Sequence, residues 1–134
     1  MKRTDAFLDT NVLLYLTDAN THKALRAEEL LRGGGVISVH VLDEFANVAS
    51  RKMRVPWLAL HDLLRAIRLN LSMTPTGLHT HELGLHLAER YRFGVYDSML
   101  LAAALQAGCT TFYSEDLHEG QVIEGVLTIR NPFR

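Results

Sequence analysis

The chain has one cysteine, Cys109, so no disulfide can form within it. It has no long apolar run. The longest, residues 99–105, falls far short of the ~20 residues that span a bilayer, which excludes a membrane-crossing helix and suits a buried one. It also lacks an excess of either charge: 14 basic residues face 15 acidic ones, for a net charge of −1. That balance excludes proteins that hold nucleic acid by bulk positive charge. Any phosphate contact must come from local clusters, namely Arg51, Lys52 and Arg54, Arg65 and Arg68, or Arg90 and Arg92, each of which also reads as a solvated helix end. Met1-Lys2-Arg3 is followed only by Ala6-Phe7-Leu8 before Asp9, too little for a secretory leader. A lone cysteine and no membrane segment fit a cytoplasmic setting.

What is present is enough apolar residue, 48% of 134, for one domain over residues 1–134 with a real core; at this length roughly two-thirds of the unfolded surface is buried. Short apolar runs alternate with longer helical patterns, which predicts an α/β chain with a largely parallel sheet. Strands are expected at 6–8, 36–38, 110–113 and 126–129, the last at an edge, with a short extended piece at 71–74. Helices are expected at 11–16, capped by Thr10 or Asn11, and at 22–32, 39–53, 56–69, 77–91 and 96–107. Gly33-Gly34-Gly35 stops one helix and Gly108 another.

Polar residues recur where strands end. Asp9 follows the first, Ser38 ends the second, and Ser114-Glu115-Asp116 follows the third. If these strands run parallel, all three groups lie along the carboxyl edge of one sheet, where open α/β sheets bind their ligands. Two helical acids can join them. On the 39–53 helix Glu44 borders the apolar face within roughly 40° of Val48, while Asp43 points away. Asp97 shares a stripe with Leu100, Leu101 and Ala104. A carboxylate on an apolar stripe is expensive unless its charge is compensated. Oxygen-rich sites of this kind select hard cations such as Mg²⁺ and Mn²⁺. Singly, each acid also reads as a turn or helix-start residue; the four together point to a site.

The residues that carry a family resemblance are four ordered motifs: Phe7-Leu8-Asp9-Thr10-Asn11-Val12-Leu13-Leu14-Tyr15, Ser38-Val39-His40-Val41-Leu42-Asp43-Glu44-Phe45, Tyr96-Asp97-Ser98-Met99-Leu100-Leu101-Ala102-Ala103-Ala104, and Tyr113-Ser114-Glu115-Asp116-Leu117 with Gly120-Gln121 and Asn131-Pro132-Phe133. Together they resemble PIN-domain nucleases of the VapC toxin type. The resemblance implies a PIN-like three-layer sandwich with a central, mainly parallel sheet flanked by helices. It implies a Mg²⁺- or Mn²⁺-dependent endoribonuclease leaving 3′-hydroxyl and 5′-phosphate ends, a cognate antitoxin as partner, and a homodimer. It also implies metal ligation by Asp9, Asp97 and Asp116, with Glu44 in the same acidic cluster and Asn11 and Ser114 in support. Glu115 and Glu119 compete with Asp116 for the fourth acid's role. His118-Glu119 departs from the Gln-His pattern of such toxins.

Other features read more plainly. His81-Glu82 with His86 misses the spacing of a helical zinc motif, because residues five apart diverge by about 140°. His79, Glu82 and His86 read as a solvated helix flank. Cys109 reads as a small core residue. Trp57, at a helix start, is expected to pack rather than to stack a base. An aspartyl phosphotransferase is disfavoured, since Asn11 stands where a second acid is wanted and no lysine follows Lys52. A non-enzymatic RNA- or protein-binding module is the other alternative; four retained acids argue against it, because crowded carboxylates repel phosphate unless a cation is present.

Overall fold

A computed structural model describes residues 2–18 and 21–134; Met1, Ala19 and Asn20 lie outside it. Strand β1 (Arg3–Leu8) leads into a short helix α1 (Thr10–Leu13) and a 3-10 turn (Leu14–Thr17). Helix α2 (His22–Gly33), β2 (Gly34–Ile37), α3 (Val39–Arg51), α4 (Trp57–Asn70) and β3 (Ser72–Met73) follow. The second half holds α5 (Leu78–Tyr91), α6 (Val95–Gln106), β4 (Thr111–Tyr113), β5 (Val122–Ile123) and β6 (Leu127–Arg130).

The strands form one sheet in the order β3-β2-β1-β4-β6-β5. Every pairing is parallel except β5 with β6. The chain steps outward from β1 to β2 to β3, then returns past β1 to lay down β4 on its other side. Right-handed crossovers therefore carry the helices before β3 and those after it on opposite faces of the sheet. α3 packs against α4 on one side, and α5 lies along α6 on the other. This is the layered, mainly parallel α/β architecture expected. Its direction reverses between β1 and β4, and such a switch point opens a crevice at the strands' carboxyl ends.

The core is continuous across that junction. Phe7 and Phe112 face each other in register on β1 and β4, fully buried, with ring centroids 5.4 Å apart and planes within 5°. Burying a side chain of this size is worth roughly 1.5–3 kcal/mol. Cys109 is buried, as its apolar surroundings predicted, and burial pushes its thiol up to about 11. Gly84 lets α5 approach α6 closely: a Cβ there would sit 2.4 Å from the sulfur of Met99.

The elements differ from expectation in five places. Gly33 ends α2, and Gly34 and Gly35, expected only to stop that helix, begin β2 two residues early. β1 starts at Arg3, three residues early, because half-buried Arg3 and exposed Thr4 and Asp5 continue the ladder through backbone bonds and carry no apolar signal. The cap of α1 is Asp9, not Thr10 or Asn11. β6 is interior rather than an edge, since β5 pairs beside it. β5 returns through Glu124 and Gly125, both in the left-handed region at φ 53° and 69°, the two-residue geometry that suits a tight hairpin.

Candidate active site

The crevice at the β1–β4 junction gathers acids from four separate segments. Asp9 comes from the end of β1, Glu44 from α3, Asp97 from the first turn of α6, and Asp116 from the turn after β4. All four line one cavity of about 230 Å³, together with Thr10, Asn11 and Lys52.

Asp9 is the buried member, only 5% exposed. One carboxylate oxygen accepts from the Thr10 amide at 2.7 Å. The other accepts from the Ser114 hydroxyl at 2.9 Å and the Asn11 amide at 3.1 Å. Burial drives its pKa up; the bonds from Ser114 and Thr10 pull it back, and repulsion from Asp97 and Glu44 pushes it up again, to about 7. Asp97 stands at the exposed rim. Partial burial and then the charges of Glu44 and Asp116 hold its carboxyl above the usual range. The acids are therefore close enough to oppose one another's ionisation.

Asn11 and Ser114 organise the cluster. The Asn11 amide nitrogen reaches Asp9 and Asp116, both at 3.1 Å, and its carbonyl oxygen accepts from the Glu115 backbone at 3.1 Å. Ser114 is wholly buried, and its oxygen lies 3.3 Å and 3.4 Å from the backbone nitrogens of Asp116 and Leu117. The turn that carries Asp116 is thus folded over the end of β1.

The rivals for the fourth position point elsewhere. Tyr15 donates to Glu115 at 2.6 Å, and Lys23 pairs with the same carboxylate. Burial would raise Glu115, but the bonds from Lys23 and Tyr15 outweigh it and hold the group below the usual carboxylate range. Glu119 accepts from the Asn131 backbone at 3.1 Å. Ser38 also departs from expectation: it sits at the same sheet edge but lines a neighbouring cavity with His40 and Tyr96. The expected packing of Trp57 is overturned, for it is 63% exposed and burial in α4 begins a turn later, at Leu60.

Sequence reasoning placed Lys52 among basic helix ends; here it lines the acidic cavity. Thr10 was read only as a cap. Its hydroxyl is buried beside Asp9 with no hydrogen-bond partner among the described residues. As the side chains stand, no three His, Cys, Asp or Glu residues among those described converge tightly enough to enclose an ion. The donors are nonetheless all oxygen, and the mutual repulsion at Asp9 and Asp97 is the imbalance a hard cation relieves. The donor set fits such an ion.

A family profile for the PIN domain matches residues 6–118. The chain belongs to the PIN-domain family. The match runs from β1 through the turn after β4, so this PIN domain's four acids all lie within it. Solved structures agree on the fold. The VapC20 toxin of Mycobacterium tuberculosis, described as cleaving the sarcin-ricin loop, superposes with a TM-score of 0.67 at 20% identity, over 83% of this chain and 89% of that one. A toxin-antitoxin complex from Klebsiella pneumoniae gives 0.70 at 18%, over 95% and 97%. VapBC2 from Rickettsia felis, bound to a DNA fragment from its promoter, gives 0.65 at 17%, over 96% and 100%. No curated protein matches this PIN domain by sequence. Among the described residues, no helix is long and apolar enough to cross a membrane.

Proposed function

We propose that residues 1–134 form one nuclease domain, a Mg²⁺- or Mn²⁺-dependent endoribonuclease, and that it is the toxin of a toxin–antitoxin pair. The observation that carries this reading is the convergence of Asp9, Glu44, Asp97 and Asp116 on one cavity at the sheet's switch point. In support, the similar structures include a toxin described as cleaving the sarcin-ricin loop and a toxin-antitoxin complex. A cognate antitoxin, a homodimeric state and a cytoplasmic setting belong to the same proposal.

Asp9, Asp97 and Asp116 would hold the ion, with Glu44 completing the ring of charge. When bound, a divalent cation offsets phosphate charge, acidifies water and supports the leaving oxygen. The chain's own residues do the rest. Asn11 and Ser114 fix the carboxylates of Asp9 and Asp116 in orientation, as outer-shell partners do at metal sites. Lys52 presents a cation at the mouth of an otherwise anionic cavity, where a phosphodiester must enter. The buried Asp9, whose pKa of about 7 lies well above the ordinary carboxyl value, would exchange its proton for the ion, so that cation binding would be linked to pH.

The test is cleavage of a mixed small-RNA pool by the purified, antitoxin-free protein with Mn²⁺ or Mg²⁺, with EDTA, and by folded Asp9→Asn and Asp97→Asn variants. Cleavage that needs the ion and disappears in both variants is the expected result. Equal cleavage by the variants would remove the site assignment. Absence of cleavage together with absence of cation binding would move the protein to the binding-module class.

A further inference from the structure

Beside the acidic cavity lies a second one, of about 220 Å³, whose lining includes Ser38, His40, Thr80, Tyr96, Met99 and Leu100. The two have no lining residue in common, but α3 and α6 contribute to both. His40 and Glu44 stand one turn apart on the same side of α3, and Tyr96 and Asp97 are consecutive on α6. A strand of nucleic acid whose phosphate sits among the acids would therefore bring its neighbouring group to the second cavity.

The second cavity has the chemistry of a base site. Its wall carries a flat ring pair: His40 and Tyr96 stack with centroids 5.8 Å apart and planes within 8°. Tyr96 is 71% exposed, so one ring face is not needed by the core. Met99 and Leu100 add apolar surface. Ser38 is 1% exposed, and its hydroxyl neither caps α3 nor meets a hydrogen-bond partner among the described residues. The other buried hydroxyl, on Thr80, is already committed, donating to Gln106 at 2.7 Å and accepting from the Gly77 amide at 3.0 Å. Of these two buried hydroxyls, Ser38 is the one left with a free donor and acceptor. The volume falls below the roughly 300–1,000 Å³ of drug-sized pockets, which suits a single ring system better than a helix of a protein partner.

Resting on the nuclease reading above, we propose that this cavity binds one unpaired nucleobase of the RNA strand, adjacent to the bond being cut. The base stacks on the exposed ring face of Tyr96, with His40 behind that ring, and the Ser38 hydroxyl bonds to its edge. Single-stranded RNA is recognised by this combination of stacking and edge contacts, and stacking on aromatic rings tolerates any base. Selectivity among bases then falls to Ser38.

The probe is the set of four ribonucleosides, uncharged and needing no metal, titrated in EDTA into the ¹⁵N-labelled full chain. The expected result is saturable shifts at the amides of Ser38, His40 and Tyr96, with unequal affinities among the four. Tyr96→Ala, at an exposed position, should weaken binding roughly tenfold, and Tyr96→Phe should restore it. Ser38→Ala should bring the four affinities together. Absence of shifts at these residues, or binding indifferent to Tyr96→Ala, overturns the proposal. So does a result in which nucleosides leave the spectrum unmoved while Tyr96→Ala changes the sedimentation coefficient, which would make the surface a protein contact. Cleavage of the RNA pool, measured with Mn²⁺ on protein from the same preparation freed of EDTA, keeps the two readings apart. Cleavage without nucleoside binding removes the base site alone. Nucleoside binding without either cleavage or cation binding leaves the pocket and removes the nuclease.

Discussion

Asn11 and Asp116 meet at 3.1 Å although 105 residues separate them. The same amide nitrogen lies 3.1 Å from Asp9, so one side chain bridges acids that follow β1 and β4. Asn11→Ala should therefore leave all four carboxylates present but loosen two of them. The expected outcome is a 10–100-fold loss in cation affinity or activity, measured by Mn²⁺ titration calorimetry and by RNA cleavage at saturating Mn²⁺. Unchanged affinity would show that the bridge plays no part in ordering the site.

Asp9 makes apo stability depend on pH in an unusual direction. Its folded pKa, about 7, lies above the ordinary value of 3.8. Between those values the folded state holds a proton that the unfolded state has lost, so stability falls as pH rises through the window and levels off above it. The full effect is on the order of 4 kcal/mol. Glu44, Asp97 and Asp116 line the same cavity, so the useful quantity is the difference between wild type and Asp9→Asn. In EDTA the variant should gain on wild type from pH 4 to 7 by urea denaturation. At pH 7.5, Mg²⁺ or Mn²⁺ should raise the melting temperature of the wild type far more than that of the variant. A difference flat across the range would contradict the assigned burial of charge.

The choice between Asp116 and Glu115 can be made by parallel substitution. Asp116 lines the acidic cavity, whereas Glu115 is tied to Lys23 and Tyr15. Asp116→Asn should sharply reduce cleavage with stability nearly unchanged. Glu115→Gln should keep cleavage within a few-fold. Because the Lys23–Glu115 pair is partly exposed, its loss should lower stability by at most about 1 kcal/mol, measured by thermal melting in low salt. The reverse pattern would exchange their roles.

This pair also shows where the sequence was legible. Glu44 and Asp97 sit on helices, and the 3.6-residue period alone sets them at the edge of an apolar face. Asp9 is marked by the short buried run before it. Turn residues have no period, so nothing local distinguishes Asp116 from Glu115. What decides it is Lys23, 92 residues from Glu115, and a partner at that distance leaves no local trace. The same limit hid the direction of Ser38, whose place at the sheet edge was readable while the cavity it faces depends on how α5 packs on α6. β5 was different. The run Val122-Ile123-Glu124-Gly125-Val126-Leu127 carries a hairpin signal between two apolar pairs, but each strand is too short to show alternation. Trp57 misled because aromatic size argues for burial, while a first helical turn can stand clear of the core.

Gly35 tests the frame on which the site rests. It lies in β2 at φ 152°, outside the range that residues with a Cβ favour. A Cβ there would come within 2.5 Å of a Leu8 methyl and 3.0 Å of the Ala6 carbonyl oxygen. The methyl can move; the carbonyl belongs to the β1 backbone and cannot move without shifting the strand that ends in Asp9. Gly35→Ala should therefore destabilise the protein by roughly 2–3 kcal/mol, from backbone strain and the forced separation of β1 from β2. Gly120→Ala is the control. It shares a positive φ of 85°, but a Cβ there meets nothing within 4 Å, so it should lose only the strain component, about 1–2 kcal/mol. Urea denaturation of both variants measures the difference. Its sign matters more than its size: equal losses would mean that β1 and β2 have room to part, and that the position of Asp9 is not held by the close approach of these two strands.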